Sequence, residues 1–287
     1  MLTGRRTRPL PGAWSAGLTG RPRFEVIPLP GTGEQVLKHL PARATVTVTA
    51  SPRRGLGPTV ELATWLAARG VRAVPHLAAR SVRDERELSE TLDHLTRAGI
   101  DEVFVIGGDR DQPAGALAGG LDLLQAMAAL PHRFTVGIAG YPETHPKIPD
   151  EVTVQAMADK RAHADYVVSQ MCFEPSTLLE WVGQVRGRGI DLPIRIGVAG
   201  PASRTHLLRI SARVGVGESI RVLGQHSSGL WALAGPGRWT PDPFLAELAP
   251  ALADPGYGLK GLHIYTFNAL AETAQWWEAM TATRSRR

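Results

Sequence analysis

From residue 24 onward the chain alternates short, β-branched apolar runs with longer segments of helical period, and it does so eight times. The runs are Phe24 to Pro28, Thr45 to Thr49, Ala73 to Leu77, Glu102 to Ile106, Phe134 to Ala139, Tyr166 to Gln170, Ile194 to Val198 and Leu262 to Thr266. Each is nearly continuous in apolar character, which is the signature of strands covered on both faces and so of a parallel sheet wrapped by helices. Eight such units in a chain of 287 residues fit one α/β (β/α)8 TIM barrel better than two doubly wound domains. Residues 1–23 read as a basic, flexible tail, 24–283 as the catalytic barrel and 284–287 as a short basic tail.

The helices between the runs carry their own punctuation. Ser81 and Asp84 have the spacing of a capping box ahead of a helix over Glu85 to Ala98, and Gly99 stops that helix where a positive φ is tolerated. Thr240 and Pro241 read as a cap and a first-turn proline opening a helix from Asp242 to Ala253. The helix between the first two strands is short, and residues 215–240 are irregular and Gly-rich.

Composition narrows the function by exclusion. The formal charge of +5 suggests nucleic acid, but Arg5, Arg6, Arg8, Arg21, Arg23, Arg284, Arg286 and Arg287 sit near the ends. Setting those eight aside leaves 24 of the 32 basic residues against 27 acidic ones, a net of −3, so no nucleic-acid partner is expected. No apolar run is long enough to span a bilayer, so no membrane partner is expected either. The single cysteine, Cys172, rules out an internal disulfide and a cysteine zinc cluster; it reads as a buried apolar residue, and the expected compartment is the reducing cytoplasm. No metal is expected.

In a barrel of this kind, chemistry belongs at the C-terminal ends of the strands. Glu25 lies in the first strand, where alternation aims its carboxyl inward; burial without a cationic partner would raise its pKa and make it a proton donor at neutral pH. Thr49 ends the second run, His76 lies near the end of the third, and Gly108 and Asp109 follow the fourth through a pair of glycines that allows close backbone approach to a flat ligand. Tyr141 and His145 share a loop fixed by two prolines, Gln170 ends the sixth run and Tyr265 closes the eighth. His76 taken alone is more simply a core histidine, and Trp276 and Trp277 a packing pair on the barrel exterior.

Taken in order, FEVIPLPG, VTVTA, PHLAAR, VFVIGGD, VGIAGYPETHP, ADYVVSQMCFEP and LHIYTFN resemble the methylenetetrahydrofolate reductase family. The resemblance implies a (β/α)8 barrel that reduces 5,10-methylenetetrahydrofolate to 5-methyltetrahydrofolate with NAD(P)H and FAD. It makes Glu25 the general acid that opens the imidazolidine ring to an iminium ion, and Asp109 the negative charge that stabilises the cation. Gln170, with Tyr265, would contact the folate. Thr49, His76, Gly108, Tyr141, His145 and Lys160 fall where the family holds FAD.

The chain also departs from the family pattern. Gly107 replaces an arginine beside Gly108 and Asp109, and Thr153-Val154-Gln155-Ala156 stands where an Asp and an Asn usually hold the FAD nucleotide. Leu207, Ile210 and Ser211 replace a glutamine and a stacking phenylalanine, and Ala269 replaces an arginine. The acid and folate-facing positions are kept while nucleotide-holding ones are lost, which points to weak or absent FAD binding and hydride transfer from the nicotinamide directly. Oxidation of the methyl product at the same site, and a folate- or flavin-binding barrel without turnover, stay open, as do the choice of NADH or NADPH and assembly into a homo-oligomer.

Overall fold

A computed structural model describes residues 21–51, 54–143, 150–203, 207 and 238–282. Eight parallel strands close into a barrel: β1 (Arg23–Val26), β2 (Thr45–Val48), β3 (Arg72–Ala78), β4 (Glu102–Ile106), β5 (Thr135–Gly140), β6 (Tyr166–Ser169), β7 (Ile194–Ala199) and, after a two-stranded antiparallel pair of β8 (Ala202–Ser203) and β9 (Arg238–Trp239), β10 (Leu259–Tyr265). Sequence neighbours pair around the ring, and β1 pairs with β10 to shut it. All eight predicted runs are strands, the fourth with both ends as expected and the others with an end shifted by one to three residues. The largest shift is at β10, where exposed Lys260 and a register irregularity between Leu259 and Leu262 hide the start of the strand from an apolar count.

Outside the barrel run α1 (Thr32–His39), α2 (Gly57–Ala67), α3 (Glu85–Arg97), α4 (Gly120–Ala128), α5 (Asp150–Lys160), α6 (Pro175–Gly187), α7 (Asp242–Glu247), α8 (Ala249–Ala253) and α9 (Leu270–Ala282). The α3 helix shows how sequence sets these elements. Leu88, Leu92 and Leu95 recur at helical spacing and are fully buried, each side chain contributing about 1.5–3 kcal/mol on leaving water. Its cap is one frame later than the sequence suggests: Asp84 accepts from the Glu87 amide at 2.7 Å and the Glu87 carboxylate accepts from the Arg83 amide at 2.7 Å, while Ser81 belongs to the preceding 3-10 turn. At the other end Gly99 takes φ +75° and the Ile100 amide reaches back to the Leu95 carbonyl.

Two other expectations are corrected. Pro241 is the cap rather than the first helical residue, and the single helix expected from Asp242 to Ala253 is two, because Pro250 has no amide hydrogen to continue the ladder. Arg23, counted by composition with the tail, opens β1 and is buried. The remaining stretches read as tails, residues 1–20 and 284–287, the last barrel residue expected, 283, and most of the Gly-rich stretch, 215–237, lie outside the described residues.

The apolar core has two compartments. The larger lies between strands and helices, where Phe24 meets Trp277 edge-on at 6.4 Å and Trp277 adjoins Trp276, the packing pair expected on the exterior. The smaller fills the barrel itself with Val74, Phe104, Tyr166 and Val168. Polar layers lie below and above this plug.

Candidate active site

Below the plug, at the N-terminal ends of the strands, Arg23 and Glu102 form a buried ion pair, Arg72 reaches Glu102 at 3.2 Å, and Arg23 donates to the Tyr166 hydroxyl at 2.9 Å. Arg195 lies over the same Tyr166 ring at 5.7 Å. This floor seals the barrel.

Above the plug the arrangement differs. Glu25 follows Arg23 by two residues, so both face inward, and its neighbours in register are Thr47 on β2 and Tyr265 on β10. The Glu25 carboxyl lies 2.8 Å from Nε2 of His263 and 3.7 Å from Nε2 of His76, the first a hydrogen bond and the second too long for one. The Glu25 carbonyl is held by the Thr266 hydroxyl at 2.6 Å, which fixes the strand from which the carboxyl projects. His76 stacks against Phe104 at 4.7 Å, and His263 packs beside Tyr265 at 4.9 Å.

Electrostatics separate this cluster from the floor. Burial raises the Glu25 pKa to about 7, with His76 offsetting part of the rise. Burial lowers His76 to about 4 and His263 to about 3, so at neutral pH both imidazoles are uncharged. The acid therefore has no cationic partner in contact, as its sequence position suggests, yet it has two neutral ones that only the fold reveals. The Glu25 side chain keeps 15% of its surface, which opens it to the mouth of the barrel.

The other candidate residues gather at the same rim. Gly108 adopts φ +91° with Ala78 so close that a Cβ would meet it at 3.0 Å, and this turn sets Asp109 exposed on the lip. Burial, then Asp109, raises the Tyr141 pKa, and burial, Glu25 and Tyr141 raise that of Tyr265 well above its usual range; Asp109, Tyr141, Tyr265 and Glu25 thus form one electrostatic neighbourhood. The Tyr265 hydroxyl donates to the Ser169 carbonyl at 3.1 Å. Gln170 accepts the Met171 amide on Oε1 at 2.9 Å, leaving its NH2 as the group it can offer a ligand. Thr49 is half-buried at the end of β2, with its amide on Val26 and its carbonyl on Thr59. Lys160 packs over Gly120 at the start of α4, and burial lowers its pKa. His145 lies outside the described residues.

Three residues were not read from the sequence. His263 stands two positions before Tyr265, so strand alternation puts both on the interior face; that signal was available. Glu143 accepts the Phe173 amide at 3.0 Å and ties the loop after β5 to the loop after β6, and burial raises its pKa. Asn268 takes φ +61° beside Phe267 at +50°, and its amide group bonds both the amide and the carbonyl of Ile27 at 2.8 and 3.0 Å. Two successive non-glycine residues in this region are strained, and a clamp that repays the strain at a strand's C-terminal end is characteristic of working sites. Cys172 is buried with its thiol on the Glu174 carbonyl, in keeping with a packing role.

Among the described residues, the nucleotide half of FAD finds little to hold it. On α5, Thr153 and Val154 are buried and Gln155 is bonded to Asp159 on its own helix. The nearby guanidinium of Arg80 is spent on the carbonyls of Arg110, Asp111 and Ala118. Lys160 alone remains of the expected contacts on α5. These residues do not fit FAD. Among the described residues no cluster of His, Cys, Asp or Glu suits a metal, and no helix is long and apolar enough to cross a membrane.

The chain is 26% identical over 196 residues to methylenetetrahydrofolate reductase 2 of Saccharomyces cerevisiae, an alignment covering 63% of this chain and 32% of the relative. It is 28% identical over 147 residues to a probable methylenetetrahydrofolate reductase (NADH) of Oryza sativa subsp. japonica, covering 45% and 25%. A probable methylenetetrahydrofolate reductase (NADPH) of Caenorhabditis elegans is 30% identical over 124 residues, 38% of this chain and 18% of that one. The chain spans about a third or less of the length of these relatives. Among solved structures, a putative lyase/mutase from Burkholderia cenocepacia J2315 aligns with TM-score 0.49 at 16% identity, covering 96% of this chain and 87% of that one. The sequence profile of methylenetetrahydrofolate reductase matches residues 34–217, well over half of the chain. With the order of motifs around the barrel, that match establishes the chain as a member of the methylenetetrahydrofolate reductase family.

Proposed function

We propose that this barrel reduces 5,10-methylenetetrahydrofolate to 5-methyltetrahydrofolate, taking hydride directly from NAD(P)H. The observation that carries the reading is Glu25, a buried carboxyl at the C-terminal end of the barrel whose pKa of about 7 keeps a proton available at neutral pH. Family membership supplies the substrate class, and the nicotinamide follows from the names of relatives.

The chemistry requires one proton and one hydride. Glu25 gives its proton to the ring nitrogen as the bond from that nitrogen to the methylene carbon breaks, and the bonding pair stays on the nitrogen. The methylene carbon becomes an iminium cation conjugated to the other nitrogen. Asp109 supplies the negative charge that stabilises this cation from the lip, where the dielectric is lower than in bulk water. Hydride then adds to the iminium carbon, leaving a methyl group and an oxidised nicotinamide. Gln170 orients the folate through its NH2, Tyr141 and Tyr265 wall the site, and Glu25 regains a proton through the open mouth of the barrel. The iminium is electrophilic enough to accept hydride from a nicotinamide, so no flavin step is needed.

The test is methylenetetrahydrofolate-dependent oxidation of NADH and of NADPH by the purified chain, with and without added FAD. Turnover by colourless protein, unaffected by FAD, supports the reading. Turnover only after FAD is added overturns the direct transfer. Absence of turnover in every condition overturns the reaction.

A further inference from the structure

The hydrogen bond between Glu25 and His263 raises a question that burial alone does not answer. A carboxyl and an imidazole 2.8 Å apart can share one proton in two ways: as neutral acid and neutral imidazole, or as carboxylate and imidazolium. Only the first can protonate a substrate from Glu25. Resting on the reductase reading above, we propose that His263 is a positioning residue that holds the acid proton on Glu25, and that the positively charged barrel floor beneath it keeps the imidazole from taking that proton.

The argument is geometric. His263 is the register partner of Arg23 across the β1–β10 pair, while Glu25 is the partner of Tyr265 one layer higher. Moving the proton from Glu25 to His263 therefore moves a unit of positive charge downward, toward the floor. The floor holds three guanidiniums, Arg23 from β1, Arg72 from β3 and Arg195 from β7, against two carboxylates, buried Glu102 from β4 and exposed Asp101, which lies 3.5 Å from Arg72. Its charge is net positive, and the interior between is lined by Phe104, Val74 and Val168, which screen little. Tyr166 from β6 stands in the floor as a neutral phenol, its hydroxyl on Arg23. The groups facing the pair from above and beside are His76 from β3 and Tyr265, both uncharged at neutral pH, and the negative charge beyond them, Asp109, is exposed to water on the lip rather than in contact with the pair.

Two further observations agree. Nδ1 of His263 is buried and has no hydrogen-bond partner within the protein, so its N–H goes without an acceptor in either form, a lack that costs the charged ring more than the neutral one. After burial, Arg23 and Arg195 are the causes that lower the His263 pKa.

The decisive experiment uses the full chain labelled with 15N-histidine, followed from about pH 6 to about pH 8, with His263 assigned by its loss in His263→Gln. The result expected is a neutral imidazole throughout, together with an infrared carbonyl band of a protonated carboxyl that disappears in Glu25→Gln. An imidazolium signal from His263 in this range overturns the proposal. Arg195→Met removes one floor charge without stripping Glu102 of Arg23 and Arg72. It should raise the basic limb of the pH–kcat profile and lower the plateau, as the proton begins to settle on His263. His263→Gln keeps an amide that can bond Glu25, and should reduce kcat by about tenfold with little change in the KM for folate, less than removal of the acid itself. Unchanged pH profiles in both variants would overturn the proposal by assigning His263 and the floor to packing. The resonance and infrared readouts do not depend on turnover, so failure of the reaction and failure of the proton placement are separable.

Discussion

The two ends of the barrel are built from the same strands and are both polar, yet they hold charge in opposite ways. At the floor the fully buried charges pair with each other, Arg23 with Glu102, while the Tyr166 hydroxyl and exposed Arg72 complete their contacts. At the mouth Glu25 is buried against two imidazoles that carry no charge. Pairing makes the floor a structural closure, and the want of pairing raises the pKa of Glu25 to about 7, as the proposed proton transfer requires. Two residues along β1, Arg23 and Glu25, separate these outcomes.

The contrast predicts variants that fail in different ways. Glu25→Gln is expected to have the largest effect, a loss of about 10²–10⁴ in kcat with urea unfolding little changed, since the amide fills the same space. Loss of stability with retained kcat would erase the distinction between mouth and floor. Arg23→Met should do the converse, lowering the free energy of unfolding by about 3–5 kcal/mol because Glu102 loses its closest partner, with Glu102→Gln restoring part of the loss. Asp109→Asn, exposed on the lip, should lower kcat by about one order of magnitude through weaker stabilisation of the cation, without a change in unfolding.

Smaller, but sharper in sign, are the pH effects. Activity needs protonated Glu25, so kcat/KM should be flat below about pH 7 and fall above it. Stability follows the histidines in the opposite direction. Their pKa values are lowered by folding, so the unfolded chain binds protons the native one refuses, and stability drains away as pH falls from about 6.5 toward about 4 for His76 and about 3 for His263. Glu25, raised by folding, contributes stability that is complete below 4.5 and lost as pH rises to about 7. Two groups against one make acid destabilisation the net expectation, measurable as a falling urea midpoint, and His76→Gln should blunt it.

Much of this was legible in the sequence because parallel strands announce themselves as unbroken apolar runs, and because a lone acid in such a run, Glu25, has nowhere to point but inward. What stayed hidden depended on neighbours that only closure creates. Arg23 was grouped with the tail because the arginines before it coloured the whole stretch, although its alternation with Glu25 marks it as an interior residue. His263 does not stand out in its run because Tyr265 closes the same run and its partner, Glu25, is 238 residues away. The Ser81 cap was misplaced because Asp84 and Glu87 repeat the same spacing three residues on. Roles for Thr49, Lys160 and Gln170 rest on the resemblance, because a polar side chain after a strand reads the same whether it binds a ligand or only bonds the backbone.

The barrel shuts along a seam between β1 and β10, and the acid straddles it. Glu25 and His263 are 238 residues apart in the chain, and Asn268 laces the loop after β10 to the loop after β1 beside them. The working acid therefore comes into being only when the last strand docks on the first. A nascent chain stalled before β10, or a fragment trimmed of it, retains Glu25 at an open edge in water, where its carboxyl has an ordinary acidity and gives up its proton. In the proposed reaction, proton donation by Glu25 thus requires that β10 has been made and the ring has closed.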